Sequence, residues 1–153
     1  MIKISYSKKI DSLSPLKFKH LSNFLKFCRS NLKITNDIRV FLLTRKNKLE
    51  ITTGGYNPSD KCIYVIYEGR QIADVIRTIA HELVHQKQDL QGKIKGNIPD
   101  IGGEIEDTAN AIAGRLVKMY VKKYDARDIY SLWTTHPRHS RWDGLHESSL
   151  LLT

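Results

Sequence analysis

The feature that most restricts this chain is the segment His81-Glu82-Leu83-Val84-His85, set inside a helical pattern that runs from Gln71 to about Gln91 and stops at Gly92. Residues i and i+4 lie one turn apart on one helix face, so two imidazoles at that spacing can grip a single ion. Glu82, beside the first of them, can reach a position on the ion left to water. A helical wheel tests whether the rest of the helix agrees. At 100° per residue His85 lies about 40° from His81, whereas Ile72, Val75, Ile76, Ile79 and Leu83 fall between about 120° and 220°. The apolar stripe can anchor the helix on a sheet while the histidines look toward another element. Histidines satisfied within the core would lie on the stripe, and these do not.

A zinc site with two histidines needs a third protein ligand. A second long helical pattern, Gly103 to about Lys123, opens with Gly103-Glu104-Ile105-Glu106-Asp107-Thr108-Ala109-Asn110. Its apolar face (Ile105, Ala109, Ile112, Ala113, Leu116, Met119, Tyr120) centres about 20° from Ile105, and Glu106 sits at about 100°, on the edge of that face. Glu104, at about −100°, and Asp107, at about 200°, point farther away. Glu106 is therefore the expected third ligand, with Glu104 as the alternative. The expected role of Glu104 and Asp107 is to complement the positive end of the helix dipole. Asn110, one turn beyond Glu106, can orient a ligand.

The remaining pattern sets the fold class. Residues 2–6 read as a short strand, Leu16 to Leu32 as an amphipathic helix, Asp37 to Thr44 and Leu49 to Thr53 as strands, and Cys62 to Tyr67 as another. Gly54-Gly55 and Asn57-Pro58-Ser59-Asp60 carry turn chemistry, and residues 93–101 form a polar loop. A short helix is expected near Ala126 to Leu132, followed by an irregular His- and Trp-containing tail. The order predicts an α+β domain with a small, mostly antiparallel sheet packed on the two site helices. A length of 153 residues fits a single domain over 1–153, divided into a basic segment 1–50, a catalytic core of about 50–124 and a tail 125–153.

Charge is distributed unevenly. Residues 1–50 hold 12 Lys and Arg against 3 Asp and Glu, a balance of +9, while residues 51–153 hold 13 of each. A basic third of this kind can dock an acidic partner or nucleic acid, although its lysines are spread out and lack interleaved aromatics. Cys28 and Cys62 form no CxxC pair and are expected as free thiols in a reducing compartment. The N-terminus lacks the apolar stretch of a secretory signal, and no apolar run reaches membrane-span length, so a cytoplasmic location without membrane contact is expected.

The stretch Ile79-Ala80-His81-Glu82-Leu83-Val84-His85-Gln86 resembles the active-site helix of the gluzincin class of zinc metallopeptidases, and Glu106-Asp107-Thr108-Ala109-Asn110-Ala111-Ile112-Ala113 resembles its third-ligand helix. The chain is particularly similar to small phage-encoded and phage-repressor-cleaving peptidases, over about residues 50–124. Where the class often has an aspartate, this chain has Asn110. The resemblance implies a minimal zincin-like domain with one zinc held by His81, His85 and Glu106, and Glu82 as general base in hydrolysis of a protein or peptide substrate. It implies that Cys62 to Tyr67 is an edge strand to which substrate can add, and that the setting is host cytoplasm or a virion. The donor that would stabilise the oxyanion stays open among Tyr120, Tyr130, His136, His139 and His146. Two other readings are a zinc-holding particle component that cuts nothing and a basic nucleic-acid-associated protein. The intact Glu82 argues against the first, because a purely structural site needs no base.

Overall fold

The structure, a computed structural model, describes residues 1–7, 10, 13–45, 53–94, 103–134 and 147–152. Its elements in chain order are β1 (Ile2–Ser7), α1 (Pro15–Leu32), β2 (Ile38–Leu43), β3 (Gly54–Asn57), β4 (Cys62–Ile66), α2 (Ile72–Leu90), α3 (Glu104–Tyr124), a 3₁₀ turn (Arg127–Tyr130) and β5 (Glu147–Leu152). Among the described residues the strands form one sheet in the order β3-β4-β2-β1-β5. The fold is α+β.

The sheet is mixed, which corrects the expected mostly antiparallel arrangement. β1 pairs with β2 and β2 with β4 in parallel, and only the flanking strands β3 and β5 run antiparallel to their neighbours. Parallel neighbours need a long crossover, and α1 supplies one between β1 and β2. Local alternation cannot distinguish the two arrangements. Ile38, Val40 and Leu42 are buried while Arg39 is exposed and Phe41 and Leu43 are half-buried, a pattern that fits either.

Two strands differ from expectation. Gly54-Gly55, whose glycines suggest a turn, begin β3, and among the described residues β3 rather than β4 ends the sheet on this side. β4 is paired on both sides, so the expectation that Cys62 to Tyr67 is an edge strand does not hold. Thr53 already belongs to the β3 approach, its carbonyl accepting from Ile66 N–H at 2.8 Å. The rest of the expected strand over 49–53, and nearly all of the polar loop over 93–101, lie outside the described residues. The tail is not wholly irregular, since β5 closes the other side of the sheet against β1.

One core joins sheet and helices. Ile4, Val40, Leu42, Ile63 and Val65 from the strands pack with Leu21, Phe24 and Leu25 of α1 and Ile72, Val75, Ile76, Ile79 and Leu83 of α2. Each fully buried aliphatic side chain contributes about 1.5–3 kcal/mol, so five of them on α2 fix its rotation about its own axis. Arg70 fixes its start: the guanidinium donates to the Ile66 carbonyl at the end of β4 and to the Asp74 carbonyl and Thr78 Oγ1 on α2. The Leu132 carbonyl accepts from Ile72 N–H, so the segment after the 3₁₀ turn caps the N-terminus of α2. Gly92, at φ 71°, follows its C-terminus in the left-handed region that glycine enters freely.

His20 of α1 ties down the far end of α3. It is 8% exposed, with Nδ1 3.0 Å from the Tyr120 hydroxyl and Nε2 2.9 Å from Asp128 Oδ2. Cys28 and Cys62 are both free and buried. No helix of the described residues is long and apolar enough to cross a membrane.

Candidate metal centre

With its apolar stripe held on the sheet, α2 presents His81 and His85 to the first turn of α3. There Glu106 meets both: Oε2 lies 3.2 Å from His81 Nε2, and Oε1 lies 2.7 Å from His85 Nε2. The two Nε2 atoms are 3.0 Å apart, and the rings stand nearly perpendicular at 87°. His81, His85 and Glu106 are thus positioned to hold a metal ion, each offering one ligand atom within 4.8 Å of the others.

The chemistry of these atoms suits a cation. The Gln88 side chain bridges the two helices: its Nε2 donates to the Ile105 carbonyl at 3.2 Å, and its Oε1 lies 2.8 Å from His85 Nδ1. The proton between Oε1 and Nδ1 must then sit on Nδ1, which makes Nε2, 2.7 Å from a carboxylate oxygen, the nitrogen of His85 that can serve an ion. Burial of the ring pushes the pKa of His81 below its ordinary value, and the neighbouring His85 adds to the shift. The His81 ring therefore favours the neutral, metal-binding form. Ligands about 2.0–2.1 Å from a common tetrahedral ion stand about 3.3 Å from one another, so the observed separations of 3.2, 3.0 and 2.7 Å would open by about 0.6 Å at most.

The expected ligands, their alternatives and the expected base can all be placed. Glu106 is half-buried in the cluster, while Glu104 and Asp107 are exposed in the same first turn. Asn110, one turn along α3, is within side-chain reach of His81. Glu82 is buried, and its Cγ would lie 3.7 Å from a Cβ placed on Gly54, so its stem runs against β3. That same Cβ would come within 2.9 Å of the Tyr64 carbonyl oxygen and closer still to the Thr78 methyl; only glycine lets β3 approach α2 this closely. Farther along, the Tyr56 hydroxyl donates to Asp89 Oδ2 at 2.6 Å, which pins the other end of β3 to the end of α2.

Of the expected oxyanion donors, Tyr120 is 1% exposed and committed to His20, 14 residues along α3 from Glu106, about 21 Å at 1.5 Å per residue. Tyr130 is exposed on the 3₁₀ turn, and His136, His139 and His146 lie outside the described residues. Gln88 was not expected from the sequence, although its place three residues after His85 puts it on the same helix face. No family model, curated protein or solved structure matches this chain, so the metal centre rests on the geometry of its own residues.

Proposed function

We propose that this chain is a zinc-dependent metallopeptidase in which His81, His85 and Glu106 hold the ion and Glu82 is the general base. The observation that carries this reading is the convergence of two imidazole nitrogens and a carboxylate oxygen, with a buried glutamate one residue from the first histidine. Structural zinc sites are closed by four protein ligands, whereas catalytic ones keep three and leave a position open. The cluster found among the described residues has three members.

The chemistry a bound zinc supplies there is Lewis acidity, which polarises a peptide carbonyl and lowers the pKa of water. Glu82 would be the group that takes a proton from water at such an ion and returns it to the leaving amine. Its place between the ligand helix and β3 puts the base next to the strand that forms the sheet edge among the described residues. An extended peptide adding to β3 through backbone hydrogen bonds would run past Glu82, and such pairing is largely indifferent to side-chain identity.

The test is metal analysis of the full chain followed by a cleavage screen on a peptide library. One zinc per chain and cleavage that falls at least about 100-fold in Glu82→Gln, with zinc retained, is the expected result. Zinc-replete protein that cleaves nothing would leave a metal-holding protein, and equal cleavage by Glu82→Gln would remove Glu82 from the mechanism.

A further inference from the structure

We propose that Gln88 is a positioning residue that fixes the tautomer of His85 and the spacing of the two helices carrying the ligands. The inference rests on the metal-binding part of the function proposed above and adds a role for a residue outside the ligand set.

Gln88 is buried, so its amide must find partners inside the protein. One partner, the backbone carbonyl of Ile105 at 3.2 Å, can only accept, which fixes the amide nitrogen toward α3. The amide oxygen is thereby turned to His85 Nδ1 at 2.8 Å, and an oxygen there can only accept. Nδ1 must carry a ring proton, so Nε2, 2.7 Å from Glu106 Oε1, is the nitrogen left to meet an ion. A backbone carbonyl on one helix thus determines which nitrogen of a histidine on the other faces the ion.

The same side chain acts on distance. Ile105 directly precedes Glu106, so the Gln88–Ile105 bond holds the first turn of α3 against α2 at the residue next to the third ligand. Gln86 offers an internal control on the same helix: it is equally buried, but its amide donates to the Asp37 carbonyl at 3.1 Å rather than serving a ligand.

The experiment has two parts, both on the full chain. First, nitrogen-15 NMR of the zinc-loaded wild type should show His85 protonated at Nδ1 with Nε2 on the metal; a proton on Nε2 with the metal on Nδ1 would overturn the proposal, and this holds even if a variant fails to fold. Second, Co2+ and Zn2+ are titrated into wild type, Gln88→Met, Gln88→Glu and Gln86→Met. Loss of a residue that orients a ligand typically weakens metal binding about 10–100-fold, which is the expectation for Gln88→Met. Gln88→Glu keeps an acceptor for Nδ1 and should recover part of the affinity together with the wild-type tautomer, while Gln86→Met should bind like wild type. Wild-type affinity in Gln88→Met, equal weakening in Gln86→Met, or loss of the Nδ1-protonated tautomer in Gln88→Glu would each refute it. A wild type that takes up neither ion would instead sink the metal centre itself, a result distinct from tight binding indifferent to Gln88.

Discussion

His81 carries a pH signature that can be worked out in sign. Its pKa lies below the ordinary 6.5, first because the ring is buried and second because His85 is near. In the metal-free protein the unfolded chain therefore holds this proton at pH values where the folded chain has released it. Stability is full above about pH 6.5 and falls as pH drops through the lowered folded value. Thermal unfolding of metal-free protein at a series of pH values should show a shallower acid loss in His81→Gln than in wild type; an unchanged slope would contradict the assignment. The ligand roles of the neighbouring acids separate equally cleanly. Glu106→Ala should abolish tight zinc binding while Glu104→Ala leaves it nearly intact, since only Glu106 reaches the histidines; the reverse result would move the third ligand to Glu104. His81, His85 and Glu106 were legible because helical periodicity converts spacing directly into direction. Gln88 lay on the same face but carried no signal of its own, because a buried glutamine is recognised only once its partners on α3 are in place.

At the scale of elements, β3 is held to α2 by a close backbone approach at Gly54 and by Tyr56–Asp89 at its other end. Replacing a strand glycine with alanine ordinarily stabilises, because the unfolded chain loses freedom. Here the added methyl would meet the Tyr64 carbonyl at 2.9 Å, and a backbone oxygen inside a paired strand cannot yield cheaply. Gly54→Ala should therefore destabilise by about 1–3 kcal/mol and lower peptide cleavage while leaving zinc affinity unchanged, because the ligands sit on α2 and α3. Denaturant melts and metal titration on the same variant check both halves, and a stabilised Gly54→Ala would show that β3 does not press on α2. This contact also explains why β3 was hidden. A pair of glycines reads as a turn when only local conformational freedom is considered, whereas here the glycine is required by a helix that arrives later in the chain. Strand polarity was hidden for a related reason: the alternation of β2 records which face is buried, not which way its neighbours run.

Across the whole molecule, the basic first third is built into the fold rather than appended to it, with β1 paired between β2 and β5 and α1 in the core. All the proposed ligands and the base lie after residue 80, on α2 and α3, while the excess positive charge lies before residue 51. Lys8 and Lys9 lie outside the described residues, and Lys17 is occupied by a hydrogen bond to the Thr134 carbonyl at 3.0 Å. Lys19, Lys26 and Lys33 are exposed on α1 and at its C-terminal cap, free of any role in the metal centre. Charge at a distance from a reacting bond acts on encounter and orientation rather than on the chemical step. The triple variant Lys19→Glu, Lys26→Glu, Lys33→Glu should therefore cleave a short neutral peptide with nearly wild-type kcat/KM. If this face of α1 docks nucleic acid, binding of the triple variant to a duplex should weaken most at low salt, where screening is least. Each phosphate contact contributes about 0.9 to the slope of log affinity against log salt, so that slope should shrink by up to about 3. An unchanged slope would mean that these lysines only keep the surface solvated. Loss of short-peptide cleavage with fold and zinc retained would mean something different: α1 would then line the path of the substrate, and the division between a docking third and a reacting remainder would have to be redrawn.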